Sequence, residues 1–382
     1  MAGYVCAIGS KRNPLEIIKK CAETGVYSTC LKSLSSDPFE GTLADYVSMK
    51  PEDNIYFFHK RKLYGIGEII NVGTDCKYCN FPESTKIQSY EYNNIKESLL
   101  VDYGEKSPKH RWLCTFKAAP YFFRDGIDMD EILKYKPNTF KMLRAFWKLS
   151  FIKIGEEENE SLKELFLLRH QEQQANPSEI FPESRDTHNA IIEHTNLHSY
   201  LINPYELIEL QNTNGIIRHE KALESAVVYD LCHDKIDLLG HWDYVSHQVI
   251  ASPFKPIDYM DKIDVFATRY IPNTKIECKF LVAELKKDNA GCEAIDQILK
   301  YVDWVCHDYA YGNYDAIEAC IIASAYDNDV SDYYNHYVRR FYTVGSHPTE
   351  NKKWIKLKLL CYKYEAGQIN YTDCTPATLN QS

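Results

Sequence analysis

The stretch Phe280-Leu281-Val282-Ala283-Glu284-Leu285-Lys286 constrains this chain most. Four apolar residues in a row, followed by an acid and a base two positions apart, describe a strand buried on both faces that carries its polar chemistry at one end. On an extended backbone, residues two apart share a face, so Glu284 and Lys286 lie roughly 7 Å apart along the chain and aim the same way. Alone, Glu-x-Lys is also a common solvent-face pattern, and the rest of the chain has to decide between the two readings.

At 382 residues the chain has room for two domains. No apolar run approaches the roughly 18 residues needed to span a bilayer, and the first residues do not form a basic-then-apolar signal. The thirteen cysteines are an odd number scattered among apolar surroundings, which fits reduced thiols and a cytoplasmic protein better than a disulfide framework. Cys76-Lys77-Tyr78-Cys79 has zinc-knuckle spacing, but only His110 and Cys114 follow within reach, so two thiols in a loop is the simpler reading. The formal net charge is -10, yet residues up to about Glu160 are near neutral and most of the excess acid lies beyond them. A nucleic-acid partner would therefore be held in a local groove and not by a global field.

Residues 1–160 read as a compact β-rich domain. Tyr4 to Ile8 forms a first strand, and Pro14 to Glu23 a helix with Asn13 as N-cap. Asn54–His59 and Leu63–Ile70 form a hairpin around the basic turn Lys60-Arg61-Lys62. Asp75–Pro82 reads as a loop and Arg111–Phe116 as another strand. The opening Tyr4-Val5-Cys6-Ala7-Ile8, the central Lys50-Pro51-Glu52-Asp53-Asn54-Ile55-Tyr56-Phe57-Phe58 with Leu63-Tyr64-Gly65-Ile66-Gly67-Glu68, and the closing Leu143 to Ile154 resemble the PUA-like β-barrels, in particular the EVE and YTH group. That resemblance implies a nucleic-acid-reading barrel with helices, which in many relatives holds a modified base in an aromatic cage; stacking is worth about 1 to 3 kcal/mol per base. Trp112, Tyr121, Phe122 and Trp147 are candidate walls, with barrel core as the competing reading for each.

From Glu156 the character changes: an acidic helical stretch places Leu162, Leu165, Phe166 and Leu168 on one face. Residues 161–215 read as a helical connector with linker at Gln171–Asn176 and Pro182–Thr187, and with one or two helices over Ala190–Leu210.

Residues 216–382 read as an α/β domain. Glu220–Leu231 is a helix whose apolar side is Leu223, Val227 and Leu231, with Glu220 and Glu224 a turn apart on a neighbouring face. Strands follow at Tyr244–Ser252, Met260–Thr268 and Lys279–Lys286. The next helix carries Ile295, Leu299, Val302 and Cys306 on one face and Gln297, Tyr301 and Trp304 on another, and Ala319–Ala325 is an apolar strand.

That order, with Asp264 in Lys-Ile-Asp-Val-Phe, Glu284 and Lys286 in Ala-Glu-Leu-Lys, and Gln297 and Tyr301 on the following helix, resembles the PD-(D/E)XK nuclease superfamily and within it the NucS-like branch. The resemblance implies a restriction-endonuclease-like mixed sheet flanked by helices and a metal-dependent endonuclease that hydrolyses phosphodiester bonds. Phosphodiester hydrolysis needs an activated water and a charge clamp on the phosphate, and hard oxygen ligands holding Mg²⁺, with Mn²⁺ as substitute, meet both needs. Asp264 and Glu284 would hold the metal, with Glu224 a further ligand or Glu220 in its place if the helical register differs by a turn. Lys286 would act on the attacking water or the phosphate, its pKa open between the pull of a cation and the push of the carboxylates. Gln297 would orient Lys286 and the phosphate. An unpaired carboxylate such as Asp264 inside an apolar strand is costly, which favours a functional reading; Glu284 with Lys286 also reads as a plain ion pair, and Glu224 as an exposed helix residue. His219, His233, His241 and His247 show no ligand spacing.

The expected function is modification-dependent DNA restriction or phage defence, with the barrel reading the DNA. The alternatives are a structure- or mismatch-specific repair nuclease, and a non-catalytic nucleic-acid-binding module on a nuclease scaffold. RNA stays open as a substrate, because the catalytic chemistry is indifferent to the 2′-hydroxyl. A homodimer is expected if both strands of a duplex are cut.

Overall fold

The computed structural model describes residues 1–9, 14–30, 37–86, 88–145, 151–182, 185–195, 198–213, 215–251 and 261–377. Asn13, Trp147, Ser252 and Met260 lie outside the described residues. The chain forms two compact units, Met1–Pro204 and Tyr205–Ser382. Both are mixed α/β, and among the described residues no helix is long and apolar enough to cross a membrane.

The first unit is built on a curled half-barrel. Its strands are β1 (Gly3–Ala7), β2 (Val26–Cys30), β3 (Asn54–His59), β4 (Lys62–Ile69), β5 (Lys77–Cys79), β6 (His110–Ala118), β7 (Ile127–Asp128) and β8 (Phe151–Ile154). They run in the order β2-β6-β4-β3-β1-β8, with β5 on β6 and β7 on β4. Among the described residues of this unit only β1 and β3 pair in parallel, and both are almost wholly buried, as their runs of aromatic and β-branched residues require. The hairpin between β3 and β4 turns on Lys60 and Arg61 alone, at φ 45° and 66°. Two successive left-handed residues match the twist of the flanking strands, a geometry that usually selects Asn-Gly. The stretch Asp75–Pro82, expected as a loop, contains β5, because Cys79 pairs with Trp112 and Lys77 with Cys114.

Helix α1 (Pro14–Thr24) ends at Gly25, whose φ is +62° and whose missing Cβ would lie 2.6 Å from the carbonyl oxygen of Phe116. Helix α2 (Asp37–Ser48) and helix α3 (Met129–Tyr135) follow, and α4 (Glu156–Arg169) packs on β1 and β4. Asn159 on α4 is buried, accepts from the Tyr56 hydroxyl at 2.9 Å and donates to Asn54 Oδ1 at 2.9 Å. Glu158 beside it accepts from the backbone amides of Lys141, Met142 and Leu143 at 2.9, 2.8 and 3.3 Å. Residues 161–204, read from sequence as connector, thus fall within the first unit. The helices expected over Ala190–Leu210 are α5 (Asp186–His194) and a helix over Pro204–Gln211, where the units divide.

The second unit is organised around a six-stranded mixed sheet. In chain order come α6 (Glu220–Cys232), β9 (Tyr244–Ile250), β10 (Lys262–Tyr270), β11 (Glu277–Leu285), α7 (Cys292–Asp308) and β12 (Ile317–Ala323). Then follow α8 (Val330–Tyr337), a hairpin of β13 (Arg340–Val344) with β14 (Glu350–Trp354), and β15 (Leu357–Glu365) with β16 (Gln368–Asp373). The sheet runs β9-β10-β11-β12-β15-β16. Neighbours from β9 to β11 are antiparallel, β11 pairs with β12 and β12 with β15 in parallel, and β16 returns antiparallel. Helix α7 makes the crossover between β11 and β12, burying Ile295, Leu299, Val302 and Cys306 as their spacing requires. Each expected element from α6 to β12 is present, its ends displaced by a few residues. Asp230, buried on α6, accepts hydrogen bonds from the hydroxyl of Tyr205 and, at 2.7 Å, from that of Tyr371 on β16.

Candidate carboxylate site in the second unit

Because β10 and β11 are antiparallel, the start of one lies beside the end of the other. Their last paired rung is Val265 with Ala283, and Asp264 and Glu284 stand one residue further at the same edge. Opposed residues in an antiparallel pair share a face, so the two carboxylates are brought together by register alone. Asp264 Oδ2 accepts from the backbone amide of Leu285 at 2.9 Å. Glu284, 1 % exposed, accepts from Lys286 Nζ at 2.7 Å through Oε1, while its buried Oε2 has no hydrogen-bond partner among the described residues.

Helix α6 packs on β9 to β11 and delivers Glu224, which is buried and not exposed. Its Oε1 lies 2.9 Å from His247 Nδ1; its Oε2 accepts from Lys221 Nζ at 2.8 Å and Gln248 Nε2 at 2.7 Å. The Gln248 amide also reaches Asp264 Oδ1 at 3.2 Å, joining the helix carboxylate to the strand carboxylate.

Electrostatics follow from this crowding. Burial raises the Asp264 carboxyl, and the charges of Glu224 and Glu220 push it further up. Burial also raises Glu284, with Asp264 and Glu220 adding to the shift and Lys286 opposing it. Burial would raise Glu224 too, but the hydrogen bond and charge of His247, together with Lys221, hold it below the usual carboxylate range. For Lys286, burial pulls downward, yet the contact with Glu284 and the charges of Glu220 and Asp264 carry the ammonium above the ordinary lysine value.

Glu224, Asp264, Glu284 and Lys286 therefore come together, and Glu220 acts on the same cluster through its charge. Gln297 does not orient Lys286: its amide donates to the Tyr301 hydroxyl, one turn along α7, at 2.9 Å. Tyr301 itself feels the charges of Glu284 and Asp264, so this helix face borders the site. His247 and Gln248 were not singled out from sequence. The signal was the break in alternation in Tyr244-Val245-Ser246-His247-Gln248-Val249-Ile250, where three polar residues in a row precede two apolar ones.

A divalent cation suits the donors, since the hard carboxylate oxygens converge and one of them is orphaned. Among the described residues, however, no group of three or more His, Cys, Asp or Glu side chains is placed so that it could hold a metal ion.

In the first unit, Trp112 is fully buried and packs on Tyr46 at 5.9 Å, so its ring faces are covered and it belongs to the core and not to a cage. Phe122, 1 % exposed between Phe57 and Phe116, is likewise core. Tyr121 is half-buried and keeps a partly accessible ring, 6.0 Å from Phe123. Cys76 and Cys79 are buried, their sulfurs 3.9 Å from the Met49 carbonyl and 3.7 Å from that of Leu201, and burial pushes the Cys76 thiol up to about 12.

No family model matches the chain, and no curated protein matches it either.

Proposed function

We propose that the second unit is a divalent-metal-dependent phosphodiesterase that cuts DNA. The observation that carries this reading is the convergence of Glu224, Asp264 and Glu284 with Lys286 at one edge of the central strands, with one carboxylate oxygen left unpartnered. Helix, three antiparallel strands, crossover helix and parallel strand supports the likeness to the PD-(D/E)XK fold. Asp264, Glu284 and Glu224 would hold Mg²⁺ or Mn²⁺, which supplies Lewis acidity and a water acidic enough to attack near neutral pH. Lys286, its side chain 28 % exposed beside the carboxylates, would orient or deprotonate the attacking water or neutralise charge on the phosphate. Glu284 fixes the direction of that ammonium, and the Leu285 amide fixes Asp264.

The half-barrel supports a PUA-like reading of the first unit, and with it modification-dependent restriction, in the cytoplasm where thirteen free thiols are stable and as a dimer if both strands are cut. A cleavage screen with Mg²⁺ or Mn²⁺ over plain, methylated, hydroxymethylated, mismatched and single-stranded DNA, and over RNA, tests the substrate. Preference for mismatches would favour repair instead. If Asp264→Ala and Lys286→Ala both leave metal-dependent cleavage intact, the assigned site is wrong. One observation favours the non-catalytic scaffold as a second reading, namely that protein donors occupy the carboxylates; calorimetry showing no Mg²⁺ or Mn²⁺ binding would establish it.

A further inference from the structure

The hairpin of β13 and β14 is a two-stranded sheet separate from the six-stranded one. Its residues alternate between two faces. The register pairs Arg340 with Trp354 and Tyr342 with Lys352 on one face, and Phe341 with Lys353 and Thr343 with Asn351 on the other. The first face is fastened down. Arg340 donates to both oxygens of Asp303 on α7 at 2.7 and 2.9 Å, and Trp354 Nε1 donates to the Ile317 carbonyl at 2.9 Å. Tyr342 packs on Tyr314 with ring centres 5.4 Å apart, and Lys352 Nζ lies 3.3 Å from Asp315.

The second face carries the same residue types, unspent. Phe341 is 74 % exposed directly across from Lys353. Lys353 and Arg339, the residue that leads into the hairpin, are exposed and meet no acidic group among the described residues. Tyr337, at the end of α8 and four residues before Phe341, is 56 % exposed, its ring stacked on Tyr333 at 4.3 Å. Charge is equally lopsided: Val338 to Lys358 carries six lysines and arginines against one acid, Glu350, in a chain of formal net charge -10. A cationic patch on an acidic protein concentrates its attraction for a polyanion at that place. Exposed rings among unspent cations are the combination that holds single-stranded nucleic acid, since every unpaired base offers a face to stack on and every linkage a phosphate. In a duplex those faces are already covered by neighbouring bases.

The hairpin is also mounted on the helix that borders the carboxylates. Asp296 on α7 accepts from the Tyr333 hydroxyl at 2.7 Å, and Asp303 holds Arg340. Seven residues apart, these two acids share one face of α7, about a third of a turn from Gln297 and Tyr301. One rigid element thus carries both the hairpin and a wall of the carboxylate site.

We propose that the outer face of this hairpin, together with Tyr337, is a docking surface for single-stranded DNA. Phe341 and Tyr337 stack on unpaired bases, while Lys353 and Arg339 meet the phosphates. The proposal rests on the DNA reading above and gives that reading a substrate form, a strand locally unpaired at the second unit.

The test is fluorescence anisotropy of the full-length protein, without added metal and over a series of salt concentrations, using a labelled oligothymidylate, its RNA counterpart and a duplex of equal length. Phe341→Ala should weaken binding of the oligothymidylate about 5-fold or more, and of the duplex much less. Lys353→Ala and Arg339→Ala should each flatten the slope of log affinity against log salt by about 0.7. All three positions are exposed, so the melting temperature should hold. Unchanged oligothymidylate affinity in Phe341→Ala, with an unchanged salt slope in Lys353→Ala, would overturn the proposal. So would binding of the RNA alone, or loss of self-association in Phe341→Ala with DNA binding intact, which would make this face a contact between copies. No metal enters the measurement, so weakened binding by these variants stands even if the protein cleaves nothing. Conversely, metal-dependent cleavage by a Phe341→Ala protein that binds single strands as the wild type does would sink the docking surface and leave the phosphodiesterase reading standing.

Discussion

Glu158 on helix α4 of the first unit and Glu284 at the end of strand β11 of the second are both buried carboxylates, and burial raises both. They differ in what meets them. Glu158 is held by three backbone amides, which oppose its rise to about 7, and it ties the segment at Lys141–Leu143 to α4. Glu284 has one oxygen on Lys286, the other on nothing described, and Asp264 pressing on it from the neighbouring strand. Burial is therefore met in two ways: Glu158 is saturated by main-chain donors, and Glu284 is left with one oxygen unpartnered among the described residues beside another carboxylate.

The largest expected effect belongs to the unsaturated side. Lys286→Ala or Asp264→Ala should lower metal-dependent cleavage on the order of 10³-fold, measured on whichever nucleic acid the screen identifies, with the fold retained by circular dichroism. On the saturated side, Glu158→Ala leaves three amides without an acceptor and should destabilise the first unit by about 3 kcal/mol, read from denaturant unfolding. If the two effects were exchanged, so that Glu158 governed cleavage and Asp264 governed stability, the contrast would collapse.

A third expectation concerns a buried base. His110 stacks on Tyr103 at 4.1 Å and bonds Ser28 Oγ at 2.7 Å, and burial, with Lys106 and Lys20 nearby, lowers it to about 4. Between about 4 and the ordinary histidine value near 6.5, the unfolded chain binds the extra proton and the folded chain does not. Stability from this group is therefore present above about pH 6.5 and lost as pH falls toward 4, by up to about 3 kcal/mol. His110→Gln should flatten the wild-type slope across that window; an unchanged slope would place the acid sensitivity elsewhere. The smallest effect on stability is the most diagnostic: above about pH 8, where Glu284 is ionised, Glu284→Gln should raise stability by about 1 kcal/mol in denaturant unfolding, since it removes a charge that Asp264 opposes.

Much of the second unit was legible in advance because its signals are local. Long apolar runs gave β11 and β12, helical spacing gave α6 and α7, and the acids at strand ends followed from alternation. The hairpin at β13 and β14 and the sheet's extension by β15 and β16 were not foreseen, because those segments mix polar and apolar residues and are defined by pairing with partners remote in sequence. Trp112 and Phe122 show the complementary failure: an aromatic residue is equally good core or cage, and only the covering of its faces decides. The contact of Gln248 with Glu224 went unread for a third reason: the polar run Ser246-His247-Gln248 marks the place, but no side-chain pattern encodes the left-handed backbone at Gln248.

The two phenols on Asp230 make α6 a clasp. Tyr205 opens the second unit and Tyr371 lies on its last strand, so the unit's two ends are fastened to one residue. Trimming from either side frees the same carboxylate, and the helix so loosened carries Glu224 about 9 Å away along its axis. The smallest fragment of this unit that keeps α6 in place is accordingly set by its outermost tyrosines, however far they stand from Glu224.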